Sequence, residues 1–301
     1  MVSAVSKCVR DMRVLKELWF ITTDHLTDRI WFRDDEDFKM GMNLVAILAC
    51  TLKVDVLAFT LMSNHVHFVL ACTHEEAEAF IDEYKRRYAQ YLRRRYGLKE
   101  YLRGNGYRID PIDGNEESLE WVIAYVQMNC VAANICLSPT GYLWGTGNSF
   151  FTETQGRWHR LGDYSKCAAR RLLHTMEELP PHLLISDSGY ILPESYVNVE
   201  FVETVFRTPK RMLYFLQNSS KAKRRLSAES DAPAFRDQVI VAAIPDLCQS
   251  LFRKPNLAAL SEADLAELLK QLRYRFSANV NQLARTTGLP YQKVALLLDM
   301  V

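Results

Sequence analysis

Hydrophobic and polar positions along the first half of the chain alternate between strand-like and helix-like periods. Leu18 to Thr23 is a short β-type run. Asp34 to Asp37 forms an acidic start suited to a helix amino-terminus, and Phe38, Met42, Val45, Ala49 and Leu52 then recur at helical spacing. Val54 to Leu61 is strand-like. Met62, Ser63 and Asn64 can turn the chain, and His65 to Cys72 reads as a second strand antiparallel to the first. Thr73 followed by Glu76 is a capping-box pattern, which predicts a helix from there to about Tyr96.

The passage from Gly104 to Asn115, rich in Gly, Asn and Asp, reads as a loop. Asn115 with Glu116 and Glu117 then opens a helix running to about Cys136. Pro139, Gly141, Gly145 and Gly147 break the pattern. Beyond Arg157 the chain is mostly helical, with a loop around Pro180 to Pro193 and a linker-like basic stretch from Asn218 to Asp231. Asn256 to Val301 is helical again.

Two pieces of this pattern bear chemistry. In His65-Val66-His67 the period of two puts both imidazoles on one face of a strand, where two neutral rings can hold a divalent metal. Two histidines on a half-buried strand occur as often as plain polar-face residues. In the later helix, a spacing of four puts Tyr125 and Asn129 on one side, one turn apart. Most such pairs simply pack, but a phenol can serve as nucleophile and an amide oxygen can complete a metal shell. Two imidazoles and an amide offer nitrogen and oxygen without sulfur, which suits Mg²⁺ or Mn²⁺. A metal there would help a phenol of pKa about 10 attack a phosphodiester. The bond energy would be kept, so rejoining would need no ATP, and no Walker-type loop occurs in the chain.

The run Leu61-Met62-Ser63-Asn64-His65-Val66-His67-Phe68-Val69-Leu70 resembles the metal-binding strand of the single-tyrosine HUH transposases, especially the REP-associated tyrosine transposases. Ala124 to Asn129 resembles their catalytic helix. Phe32 to Phe38 and Tyr142 to Phe150 are also similar to family segments, and the resemblance spans about residues 14 to 150, with a looser similarity around Gly189 to Leu216. It implies that His65, His67 and Asn129 bind the metal. It also implies that Tyr125 forms a 5′-phosphotyrosine with single-stranded DNA and leaves a 3′-hydroxyl. Ser63 and Cys130 both stand where many relatives have proline.

Composition adds limits. The chain has 301 residues, 49 % of them hydrophobic and 24 % charged, with a net charge of +1, so only the distribution of charge can point to a polyanion. Residues 81 to 108 carry nine basic residues against three acidic ones, interleaved with six tyrosines. Arg86, Arg87, Arg93, Arg94 and Arg95 are therefore candidate DNA contacts. The alternative is an amphipathic helix that buries Phe80, Tyr84, Tyr88 and Tyr91 and solvates its basic face. Seven scattered cysteines without a Cys-x-x-Cys pair argue against a disulfide framework or a thiolate zinc site. Met1 to Arg13 lacks the apolar core of a signal peptide, and no run is long enough to span a bilayer. The expectation is a cytoplasmic, nucleoid-associated protein.

Val280 to Val294 resembles a helix-turn-helix in which Ala284 permits close approach, Gly288 turns the chain and Val294 anchors the second helix. Tyr291, Gln292 and Lys293 would head the recognition helix, although a plain helical hairpin fits equally. Lys221, Lys223, Arg224 and Arg225 suit either a backbone contact or a solvated linker.

The expected fold is α+β: an antiparallel sheet of the HUH (ferredoxin-like or RRM-like) type over residues 1–155. A helical extension and linker would follow over 156–232, and a helical domain over 233–301. The expected function is metal-dependent nicking and strand transfer on single-stranded, hairpin-containing DNA. A catalytically retired transposase acting as a DNA-binding regulator is the alternative. A metal hydrolase with a His-x-His strand is disfavoured, because no histidine follows His182 and the helical second half lacks barrel strands. Monomer and homodimer both remain open, and so does the identity of the metal.

Overall fold

The structure is a computed structural model that describes residues 17–27, 29–113, 116–133, 135–153, 156–220 and 235–299. Its centre is a four-stranded antiparallel sheet of strands β1 (Glu17–Thr23), β2 (Asp55–Met62), β3 (His65–Cys72) and β4 (Tyr107–Pro111), in the order β2-β3-β1-β4. The hairpin β2–β3 turns through Ser63 and Asn64, as the sequence pattern predicts. β4 was not expected: it lies within the polar passage read as a loop. Its residues Tyr107 to Pro111 pair with Thr23 to Trp19 at the sheet edge, where a polar strand and a proline are tolerated.

The capping signals set the helices on one face. Helix α1 (Asp35–Leu52) starts where the Asp34 side chain accepts from Asp37 N, and ends at Lys53 in the left-handed region, φ 55°. Helix α2 (His74–Tyr96) begins with the Thr73–Glu76 capping box and stops at Gly97, φ 70°. Both lie on the face of β3 that carries Val66, Phe68 and Leu70. There Phe68 meets the rings of Phe80 and Tyr84 at 5.3 Å each. The two helices are tied together at Asp37, which is fully buried and accepts from Arg33 N, the Tyr91 hydroxyl and Arg95. Burial pushes the Asp37 carboxyl up even against these donors.

The opposite face of the sheet is covered by helix α3 (Glu116–Gln127) and the single turn α4 (Asn129–Ala132), so β3 is buried on both sides rather than half-exposed. The helix expected to run unbroken to about Cys136 is interrupted at Met128. The following segment packs along the edge of β2. Leu61 N donates to Trp144 O at 2.9 Å, the Tyr142 hydroxyl donates to Leu61 O at 2.6 Å, and a bridge joins Thr60 to Gly145. A Cβ at Gly145 would stand 2.6 Å from Phe59 O, so this approach requires glycine.

Helices α5 (Lys166–Leu173), α6 (Val199–Phe206) and α7 (Pro209–Asn218) follow, together with a small antiparallel sheet of β5 (Trp158–Arg160) and β6 (Leu184–Ser186) that the helical reading missed. Three-residue strands are too short to show a period. Phe201, Val202, Val205, Phe206, Met212 and Phe215 join the core of the large sheet. A separate core is built from α8 (Asp237–Phe252), α9 (Glu262–Phe276), α10 (Val280–Thr287) and α11 (Tyr291–Asp299). Most of the linker-like stretch, including Lys221, Lys223, Arg224 and Arg225, lies outside the described residues, as does Met1 to Arg13. Among the described residues no helix is long and apolar enough to cross a membrane.

Candidate functional site

The antiparallel register fixes which side chains meet. Thr22 of β1 and Thr60 of β2 pair with His67, and Met62 pairs with His65, so these residues share the face covered by α3. His65 and His67 are 5 % and 2 % exposed, and their ring centroids are 4.6 Å apart with the planes near perpendicular. The ring of Tyr125, from α3, stands edge-on to His67 at 5.9 Å. Phe20 of β1 completes the group: it stacks on His67 at 5.6 Å and meets Tyr125 edge-on at 5.8 Å. The strand pair and the phenol therefore meet within one chain.

The tyrosine helix is held in place by polar ties. The Thr60 hydroxyl donates to Val126 O at 2.9 Å, and Gln127 Nε2 donates to Thr146 O at 3.2 Å. On the far side of the helix, the fully buried Glu120 carboxylate accepts from Nε and Nη2 along one edge of the Arg211 guanidinium, at 2.5 and 2.7 Å.

Asn129, 3 % exposed, uses Nδ2 to donate to Tyr125 O at 2.9 Å and to Val126 O at 3.2 Å. These carbonyls end α3 and accept only, so the amide must present its NH₂ to them. Its carbonyl oxygen is then the end available to a cation. Both Asn129 and His65 line one cleft. Asn64 orients His65 by the same logic. Its Nδ2 donates to Leu26 O at 3.1 Å, so Oδ1 is the atom 2.9 Å from His65 Nδ1. An oxygen that only accepts places the imidazole proton on Nδ1, and a neutral His65 then carries its lone pair on Nε2.

The donor set is therefore two buried imidazoles and one amide oxygen, chemistry that suits a hard or borderline divalent cation with positions open for oxygen ligands. Among the described residues, no group of three or more His, Cys, Asp or Glu side chains is placed to hold a metal ion. One histidine that spacing could not assign also belongs to this neighbourhood. His25, in the loop after β1, stacks on His65 with centroids 3.7 Å apart and planes 15° apart. The β1–β3 pairing and the Leu26–Asn64 hydrogen bonds bring it there, and its spacing in the sequence does not require it.

The candidate DNA-contact arginines lie elsewhere. All five sit on α2, across the sheet from the histidines. Arg86 and Arg87 bind Glu83, at 2.6 Å each, and Arg87 also reaches Glu177 at 3.3 Å. Arg86 leads the groups that draw the Glu83 pKa down to about 2. Arg95 is held by Asp34 and Asp37 at 2.7 and 2.6 Å. Arg93 and Arg94 are exposed on the same helix. Phe80, Tyr84 and Tyr88 are fully buried, as the amphipathic alternative has it, and Tyr91 is half-buried. The structure thus keeps these arginines out of the histidine site and ties three of them into ion pairs.

At the carboxyl end, Gly288 with φ 72° separates α10 from α11, and Ala284 and Val294 are fully buried between them. Tyr291, Gln292 and Lys293 are exposed at the start of α11. They do not line the histidine cleft, whereas Asn281, Gln282 and Arg285 of α10 do.

The antiparallel sheet thus sets a buried histidine pair against the helix that carries Tyr125. Residues 29–129 match the family model described as IS200-like transposases, which supports the resemblance read from the sequence. The matched span contains His65, His67, Tyr125 and Asn129, and leaves out β1, His25 and all four helices of the second core. No curated protein and no solved structure matches the chain.

Proposed function

We propose that this transposase nicks and rejoins single-stranded DNA, with Tyr125 as nucleophile and His65, His67 and Asn129 as ligands of a Mg²⁺ or Mn²⁺ ion. The sheet would then be an HUH domain of the ferredoxin-like or RRM-like type. The observation that carries the reading is the meeting of the Tyr125 and His67 rings at 5.9 Å, with Asn129 one turn further along. A bound divalent ion would neutralise charge on the scissile phosphate and orient it for in-line attack.

The chain's own groups do the rest. Phe20 and His67, stacked on each other, both meet the phenol ring edge-on, which limits the positions it can take. The phenol gives up its proton and its oxygen bonds to phosphorus, while the bond to the 3′ oxygen breaks. That oxygen takes a proton and leaves as a hydroxyl, and the 5′ phosphate stays on Tyr125. Attack by a 3′-hydroxyl on the phosphotyrosine reverses the exchange and frees the phenol, so one strand can be joined to another without a nucleotide cofactor. Tyr125 acts on the histidines of its own chain.

Tyr125→Phe is the test. The ring packing survives, so the variant should bind a single-stranded hairpin oligonucleotide as the parent does, yet form no covalent adduct on a denaturing gel in Mn²⁺ or Mg²⁺. An adduct from the Phe variant sinks the assignment. Binding without an adduct from the parent chain favours the regulator reading instead.

A further inference from the structure

The second core is seated on the histidine site, and the contact between them is specific. Asp237, at the start of α8, is 4 % exposed. It accepts from the Ser63 hydroxyl in the β2–β3 turn at 2.7 Å, from Gln282 Nε2 at 3.0 Å and from Arg285 at 3.1 and 3.2 Å. Next to it, Gln238 Nε2 donates to Phe32 O at 2.7 Å. A proline in place of Ser63 could make no such bond.

Between the two units lies a cleft of about 500 Å³ with His25, His65 and Asn129 on one wall. Phe235, Arg236, Asn281 and Arg285 stand on the other. Among the described residues Asp237 is the only carboxylate lining it, and its oxygens are taken up by Ser63, Gln282 and Arg285. The open chemistry is thus cationic and amide-rich, with one aromatic face: Arg236 and Asn281 are exposed, and Phe235 is 43 % exposed.

We propose that this cleft binds the unpaired nucleotide next to the scissile phosphate, so that the carboxyl-terminal unit completes the DNA site. The inference rests on the nicking function above. Phe235 offers a stacking face to the base, the exposed Arg236 can meet the phosphate, and Asn281 can donate to and accept from a base edge. Pockets of roughly 300–1,000 Å³ take ligands on the scale of a nucleotide, whereas a duplex is too wide. The cleft touches His65 and Asn129 but is not lined by Tyr125 or His67.

The test uses the full chain with Phe235→Ala, Arg236→Ala and Asn281→Ala, none of them in the proposed cutting machinery. Anisotropy of a labelled single-stranded oligonucleotide should show Phe235→Ala weakening binding about tenfold, the loss of one base stack. Arg236→Ala should lower the slope of log K against log salt by about 0.7, the loss of one phosphate contact. A blunt duplex should bind equally to all variants. Iodouracil placed next to the cut position should crosslink to Phe235.

Unchanged single-strand affinity in all three variants overturns the proposal. So does tighter binding on Ser63→Ala, because the unit would then be a cover. Adduct formation at Tyr125 is scored separately. Cleft-dependent binding without an adduct would fail the nicking reading alone, and an adduct indifferent to the cleft variants would fail this inference alone.

Discussion

Replacing Asn64 by alanine would remove the group that fixes the tautomer of His65. The Asn64 amide is anchored at one end by Leu26 O, 3.1 Å away, and presents its oxygen to His65 Nδ1 at 2.9 Å. Partners of this kind behind a metal-bound histidine are worth about 10–100-fold in metal affinity, or roughly 1.4–2.7 kcal/mol. The lost bond to Leu26 O should cost about 1 kcal/mol of folding stability, a melting shift of about 2–4 °C for a chain of this size. The two effects separate cleanly: Mn²⁺ titration followed by the electron paramagnetic resonance of the free ion reads the first, and calorimetry reads the second. His65→Ala should abolish the same Mn²⁺ binding, and Asn64→Asp, which keeps an acceptor opposite Nδ1, should recover most of the affinity. If Asn64→Ala lowers the melting temperature but leaves Mn²⁺ affinity within about twofold of the parent, Asn64 is a structural anchor only, and the tautomer argument is wrong.

Other outcomes follow from the ties around the site. Arg211→Ala leaves the buried Glu120 carboxylate without its guanidinium, and should destabilise the chain by about 3 kcal/mol in urea unfolding; Arg211 is itself 41 % exposed, so the low end of the range for broken buried pairs applies. Adding Glu120→Gln should restore part of the loss. Glu83 has its pKa drawn down to about 2 by Arg86 and Arg87, so its ion pairs contribute above the unfolded value near 4.5 and are lost as pH falls toward 2. Glu83→Gln should therefore be less stable than the parent at neutral pH by about 0.5–1 kcal/mol, the scale of surface pairs, with the difference closing between those two pH values. A difference that persists at pH 2 would mean the glutamate acts through packing rather than charge.

The sequence by itself determined the local elements with a strong signal: the hairpin through Met62–Asn64, the capping box at Thr73, and the period that puts His65 and His67 on one face. Each is written within a few residues, where backbone geometry leaves little choice. It also singled out Tyr125 and Asn129 on one side of a helix, though not what that helix would cover. Strand Tyr107–Pro111 stayed hidden because its pairing partner, β1, lies more than 80 residues away and an edge strand need not be apolar. His25 could approach the histidine face on the sequence alone, but spacing did not require it, and its stacking on His65 was set by the tertiary structure. That the arginine-rich helix lies across the sheet from the histidines, with Arg86, Arg87 and Arg95 in ion pairs, was set by the fold. The seating of the carboxyl-terminal helices over the histidines through Ser63 and Asp237, two residues 174 positions apart, was settled only in three dimensions. Periodicity records which face of an element is apolar, whereas the choice of what covers that face belongs to long-range packing.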